Sequence, residues 1–215
     1  MLIIGAKGFA KEVLEIFKQK NEIDNLFFYD DVNEDIGTSL YDVFPILKSV
    51  EEAEKLFAEG DSNFTIGIGN PILRYKLVKK FESIGGKLST LISPFSHIGS
   101  YGNSIGVGAN IMTNSVLTND ITIGKGVLIN LSCTIGHDVF IDDFVELCPD
   151  VNVSGNCKIG KFTFIGTNST ILPNVQIGSN VVIAAGSVVT KNVPDNYMVA
   201  GIPAVIKKEL PKLEF

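Results

Sequence analysis

The chain has 215 residues, 45% hydrophobic and 20% charged, with 18 Lys and Arg against 24 Asp and Glu. That length suits one large domain or two small ones, and a net charge of −6 with a sequence pI near 5.0 provides no basic field for a polyanion. Arg74 is the sole arginine, so bidentate clamps on phosphate or guanine are scarce and nucleic acid is not an expected partner.

The chain opens on the aliphatic triplet 2–4, followed by Gly5-Ala6-Lys7-Gly8-Phe9-Ala10-Lys11 and a helical pattern with Val13, Leu14 and Phe17 on one face. This reads as strand, glycine turn, helix. A second strand is expected over Leu26–Tyr29, ended by Asp30-Asp31, and a third over Phe64–Ile68, ended by Gly69-Asn70-Pro71 before a helix from Ile72 to Phe81. Strands alternating with helices imply a small Rossmann-like parallel sheet over residues 1–85. Ligands of such sheets sit beyond the carboxyl ends of the strands, so Gly5–Phe9, Asp30-Asp31 and Gly69-Asn70 converge on one crevice. The glycine spacing is not a full dinucleotide fingerprint, because alanine stands at position 10. A helix amino terminus able to face a phosphate is still present, beside an acid pair able to accept hydrogen bonds from a ribose or a pyrimidine base. The alternative is that Gly5 and Gly8 only let the turn pack and that the acids lie in a solvated loop.

From residue 105 the sequence repeats every six residues. The first position of each hexad, from Ile105, Ile111 and Leu117 through to Ile183 and Val189, is aliphatic in all fifteen cases. Four residues later, from Ala109 and Ser115 through to Ser187 and Val193, the residue is small or β-branched. Large inside, small inside, then a turn describes one flat side of a solenoid. Glycines recur beside the large residue, as at Gly106, Gly124 and Gly136, and Asn, Asp and Gly supply the unusual dihedrals of corners. Three hexads make a triangular coil of eighteen residues, five coils over 105–194. The pattern, with Gly201-Ile202-Pro203-Ala204 after it, resembles the hexapeptide-repeat acyltransferases, whose helix is a left-handed parallel β-helix, here expected over residues 86–215.

Residues eighteen apart then lie on neighbouring rungs about 4.8 Å apart. His137, in Thr134-Ile135-Gly136-His137-Asp138, is outward, with Asn119 one rung before it and Gly155, Pro173 and Lys191 on the rungs after it. Acetyl transfer from a thioester needs a base for the acceptor's proton and a donor for the oxyanion. A histidine supplies the first at neutral pH, and the N–H of Gly155 can supply the second with no side chain in the way. Asp138 can support the imidazole if the corner brings adjacent side chains together. The alternative is a surface histidine in a solenoid turn. His97 precedes the hexad register and reads as structural or interfacial. Cys133 and Cys157 occupy inward positions, and no set of residues has metal-ligand spacing.

The segments GAKGFAKEV, FFYDD and IGIGN, joined to a hexapeptide helix bearing IGHD, resemble the sialic acid O-acetyltransferase and bacillosamine-pathway sugar N-acetyltransferase family over nearly the whole chain. The resemblance implies acetyl-CoA as co-substrate, no metal, and a homotrimer with active sites between adjacent helices. It places the nucleotide of a nucleotide sugar on Lys7, Gly8, Phe9, Asp30, Asp31 and Gly69, and makes His137 the base with Asp138 tuning it. It sets Gly155, Thr167 and Ala185 along the coenzyme edge, and Glu146 where some relatives have a coenzyme-contacting histidine. The implied reaction is N-acetylation of an amino group, at C4, of a UDP- or dTDP-linked deoxyamino sugar. The alternatives are O-acetylation of a sugar such as sialic acid, and a nucleotide-sugar-binding scaffold without activity. Phe140, Phe144, Cys148, Phe162 and Phe164 read as an apolar excess on the outer faces, which favours the trimer. The mean hydropathy of +0.27 arises from apolar runs too short to span a membrane. No leader pattern precedes the first strand, and three cysteines cannot all pair, so a reducing cytoplasm is expected.

Overall fold

The computed structural model describes residues 1–214, which form two compact units. The first is Met1–Gly69 with Leu73–Leu91, and the second is Asn70–Ile72 with the chain from Ile92 onward.

In the first unit, β1 (Leu2–Ile4) pairs in parallel with β2 (Phe27–Tyr29) on one side and with β5 (Asn63–Ile66) on the other. Its three residues are at most 1% exposed, the continuous apolar run of a strand covered on both faces. The expected helices are α1 (Gly8–Gln19), which buries Ala10, Val13, Leu14, Ile16 and Phe17, and α3 (Pro71–Ser83). The expected third strand starts one residue earlier and ends two residues earlier, at Ile66, because Gly67 makes one last ladder bond to the Ile4 carbonyl and the chain then leaves the sheet. Three strands and a helix go beyond the sequence reading: β3 (Ser39–Leu40), β4 (Phe44–Leu47), α2 (Val50–Glu59) and β6 (Lys87–Leu88). They complete a sheet of order β3-β4-β2-β1-β5-β6, parallel except at the β3–β4 edge. Ala10, where the fingerprint has glycine, lets α1 approach the sheet because its partner is Gly67; a Cβ on Gly67 would lie 2.7 Å from the Ala10 Cβ.

The second unit is a parallel β-helix. Its first face stacks strands Asn110–Ile111, Leu128–Ile129, Glu146–Leu147, Phe164–Ile165 and Val182–Ile183. The second stacks Val116–Leu117, Thr134–Ile135, Asn152–Val153, Thr170–Ile171 and Val188–Val189. The third stacks Thr122–Ile123, Phe140–Ile141, Lys158–Ile159 and Gln176–Ile177. Every large inward residue from Ile111 to Val189 is at most 3% exposed, so the hexad period and the core coincide. The residue before each small inward position is left-handed, with φ between 53° and 75° from Gly108 through Asp138 to Gly186. Asn, Asp and Gly adopt that conformation at little cost, which is why they recur there.

Three expectations need correction. The stacking starts before residue 105, since His97–Ile98 already pairs with Val116–Leu117. It also ends on a shortened coil, in which Val193 bridges Ile177 and Met198 pairs with Val182, each sixteen residues back. Finally, Phe144, Cys148 and Phe162 are not on a wet outer face, being 4%, 8% and 9% exposed. Phe144 and Phe162 occupy left-handed corner positions on adjacent rungs, where their rings stack with centroids 5.9 Å apart and Gly126 makes room beneath. Phe164 is half-buried, and of the five only Phe140 is exposed, at 43%.

Candidate active site

Residues 136–139 turn the chain from the second face to the third. Gly136 must lack a side chain, because a Cβ there would lie 2.7 Å from the backbone nitrogen of Gly155 on the next rung. The left-handed conformation of Asp138 (φ 58°) turns its carboxylate back onto the preceding residue, so that His137 Nδ1 and Asp138 Oδ2 are 2.7 Å apart. Adjacent side chains that would diverge on a strand are thereby paired. The backbone holds the corner on both sides: Asp138 N–H donates to the Asn119 carbonyl and Asn156 N–H donates to the His137 carbonyl. Both side chains stay accessible, 64% and 56% exposed, so the pair faces solvent rather than the core.

The imidazole lies against the Gly155 Cα, since a Cβ on Gly155 would meet His137 Cε1 and Nε2 at 2.7 Å. With Nδ1–H donating to Asp138, Nε2 is the free acceptor. At the equivalent turn position of some hexads a side chain caps the N–H, as Asp143 does for Lys125, Asn130 for Leu131 and Asp195 for Ser179, whereas His137, Lys161, Thr167 and Ala185 have no such cap. The Gly155 N–H likewise has no hydrogen-bond partner among the described residues. An imidazole, a carboxylate and a glycine of the next rung thus meet at one corner.

The remaining expected coenzyme residues are elsewhere. Thr167 and Ala185 turn the chain from the first face to the second, so within one chain they are on a different corner from Gly155. Glu146 is buried, at 6% exposed, with Oε1 3.9 Å from Cys148 Sγ. His97 is exposed on the first coil. Cys133 and Cys157 are enclosed in the helix core, and burial pushes the Cys133 thiol up to about 12, so neither is a nucleophile. No group of three or more His, Cys, Asp or Glu among the described residues is placed to hold a metal.

In the first unit, a cavity of about 200 Å³ opens at the carboxyl ends of β1, β2 and β5. Gly5, Asp30 and Asp31 line it, together with Ile4, Tyr29 and Leu77. Lys7, Gly8, Phe9 and Gly69 do not line this cavity. Lys7 pairs with Asp35 at 2.8 Å, Gly8 and Phe9 open α1, and the Gly69 carbonyl accepts from Arg74. Two residues that the sequence did not single out, Tyr29 and Lys80, both bond the Asp31 carboxylate. Their only signal was a tyrosine beside the acid pair; Lys80 is one lysine among several on α3.

A parallel β-helix of hexad repeats with an exposed His-Asp pair against a glycine of the next rung is the architecture of the hexapeptide-repeat acyltransferase class. Residues 1–81 match the PglD N-terminal domain model, and residues 156–191 match the bacterial transferase hexapeptide (six repeats) model. Galactoside O-acetyltransferase of Escherichia coli K12 is 39% identical over 165 residues, spanning 64% of this chain and 68% of that protein. A histidine-to-asparagine variant of perosamine N-acetyltransferase from Caulobacter crescentus, in complex with CoA and GDP-perosamine, superimposes with a TM-score of 0.86. It is 27% identical, with 97% of this chain and 96% of that chain covered. The acetyltransferase domain of PglB from Neisseria gonorrhoeae, in complex with acetyl coenzyme A, has a TM-score of 0.87 at 29% identity, covering 96% and 98% of the two chains. The chain belongs to the hexapeptide-repeat sugar O-/N-acetyltransferase family.

Proposed function

We propose that this enzyme transfers the acetyl group of acetyl-CoA to the amino group, at C4, of a nucleotide-linked deoxyamino sugar. The observation that carries the reading is the His137–Asp138–Gly155 corner in a chain that also has the PglD-type amino-terminal unit. That unit favours a nucleotide handle, and the similarity to the perosamine and PglB enzymes runs over at least 96% of this chain, whereas that to the galactoside enzyme covers 64%.

In this mechanism the neutral amine attacks the thioester carbonyl while His137 Nε2 takes the proton it loses. The carbonyl oxygen becomes an oxyanion and accepts from the Gly155 N–H. Collapse breaks the carbon–sulfur bond, and the imidazolium returns its proton to the departing thiolate. Asp138 fixes the tautomer and stabilises the imidazolium. From Gly155 the pantetheine arm runs along the corner past Pro173 towards Lys191, three rungs or about 14 Å from His137. Thr167 and Ala185 contact the coenzyme from the next corner of a neighbouring copy in a homotrimer. In the amino-terminal unit the base enters the 200 Å³ cavity at Asp31, and the phosphates face Lys7, Gly8 and Phe9, where no side chain caps α1. Three free thiols suit a reducing cytoplasm.

The test is a panel of UDP-, dTDP- and GDP-linked 4-amino sugars and their 4-hydroxy counterparts, assayed with acetyl-CoA by free thiol release and product mass. Acetylation of an amino sugar and not of its hydroxy counterpart supports the reading. Acetylation of hydroxy sugars alone would replace it with O-acetylation.

A further inference from the structure

The corner that carries His137 is irregular two rungs earlier. Tyr101, Asn119, His137 and Gly155 form one column, since Asp120 N–H donates to the Tyr101 carbonyl as Asp138 N–H does to that of Asn119 and Asn156 N–H to that of His137. On the first rung the column holds an extra residue: Ile98 pairs with Leu117, nineteen residues on, whereas Ser104 pairs with Thr122, eighteen on. The insertion falls within residues 99–102 and is braced. Asn103, in register with the inward Ile121, donates through Nδ2 to the Gly99 and Thr118 carbonyls at 2.8 Å each and accepts the Ile121 N–H on Oδ1 at 2.9 Å. Asn119 Oδ1 accepts from the Tyr101 N–H at 3.2 Å. Tyr101 is 75% exposed, and neither its hydroxyl nor Asn119 Nδ2 has a hydrogen-bond partner among the described residues.

We propose that Tyr101 and Asn119 form the subsite for the sugar ring of the acceptor, on the amino-terminal side of His137. The inference rests on the reading above, in which the pantetheine arm leaves Gly155 towards Lys191. Amine and thioester meet at His137 from opposite ends of the column, so with the coenzyme on the rungs after it the sugar covers the rungs before it. Those rungs lie about 5 and 10 Å from His137. A ring whose amine is at Nε2 therefore covers Asn119 and reaches Tyr101. Tyrosine offers an apolar face to the C–H bonds of a sugar ring and a hydroxyl to its oxygens. The Asn119 amide donates to a hydroxyl flanking the amine. Single exposed aromatic residues need no explanation in general, but this one stands in the catalytic column, at an inserted residue, over a braced turn. An extra residue beside an active site is a device that re-aims a side chain.

The experiment is steady-state kinetics of the full chain with acetyl-CoA and UDP-, dTDP- and GDP-linked 4-amino-4,6-dideoxyglucose, beside circular dichroism and light scattering. Tyr101→Ala is expected to raise KM for the acceptor roughly ten-fold, with KM for acetyl-CoA and the light-scattering mass unchanged, while Tyr101→Phe keeps the ring and most of the affinity. Asn119→Asp keeps an oxygen for the Tyr101 N–H but loses the donor, and should raise the acceptor KM about 2- to 10-fold. Deletion of Ser100 restores the eighteen-residue spacing and should act as Tyr101→Ala does. An unchanged acceptor KM in a folded Tyr101→Ala protein, or a rise that comes with a loss of assembly mass, overturns the inference and leaves the acetyltransferase reading standing. A rise in KM for acetyl-CoA alone puts the coenzyme on this side of His137 and overturns the inference together with the proposed coenzyme path. Failure of the wild type to acetylate any of the three acceptors overturns the amino-sugar reading and the inference with it.

Discussion

Gly155 carries two separable demands, and substitutions there can distinguish them. Alanine keeps the N–H but puts a Cβ 2.7 Å from His137 Cε1 and Nε2, so the imidazole must move. Proline adds the same crowding and deletes the donor. Pro149 and Pro173 already occupy the same turn position in other hexads, so the backbone tolerates proline there. Gly155→Ala is expected to lower turnover through misplacement of the base, and Gly155→Pro to fall below it by a further 10²–10³-fold or so, the usual worth of one oxyanion donor. Equal rates for the two variants in steady-state assays would remove the amide from the mechanism. Asp138→Asn should lower turnover less than loss of the histidine does, because the imidazole remains but its tautomer is no longer fixed. Wild-type turnover in that variant would leave Asp138 with a structural part only.

Among the elements, α2 shows which signals were readable and missed. Ser49 accepts from the Glu52 N–H while the Glu52 carboxylate accepts from the Ser49 N–H, a capping box spelled out by a serine and a glutamate three residues apart. Ser49→Ala is expected to lower unfolding stability by about 0.5–2 kcal/mol in denaturant titration, without changing the acetylation rate. The solenoid was legible because its period writes the inward positions directly into the sequence, and the His137–Gly155 contact followed from the eighteen-residue rung. The separation of Gly155 from Thr167 was legible as well: twelve residues are two faces of a triangular coil, not one rung. Phe144 and Phe162 misled because they stand where Asn, Asp or Gly usually does, and a left-handed phenylalanine stacked on its neighbour rung is not an outward side chain. The Asp138 contact depends on a dihedral that the residue type permits without requiring. Lys80 reaches Asp31 from 49 residues away, a distance no local pattern reports.

At the scale of the whole molecule, the trimer reading no longer rests on the aromatic residues as a group. Phe140, Val116 and Leu172, 36–43% exposed, remain as apolar surface on the second and third faces and their shared corner. Thr167 and Ala185 lie on a different corner from Gly155, so the proposed coenzyme path requires a neighbouring copy. Light scattering is expected to give three times the 23.2 kDa chain mass, and a stable monomer would contradict the shared site. The most direct test of the account is turnover of the His137→Ala protein with acetyl-CoA and a nucleotide-linked amino sugar, read by thiol release beside its circular dichroism and coenzyme affinity. The variant is expected to fold, to bind acetyl-CoA as the wild type does and to turn over roughly 10²–10⁴-fold more slowly, the worth of a general base. A folded His137→Ala protein that acetylates at the wild-type rate would contradict it.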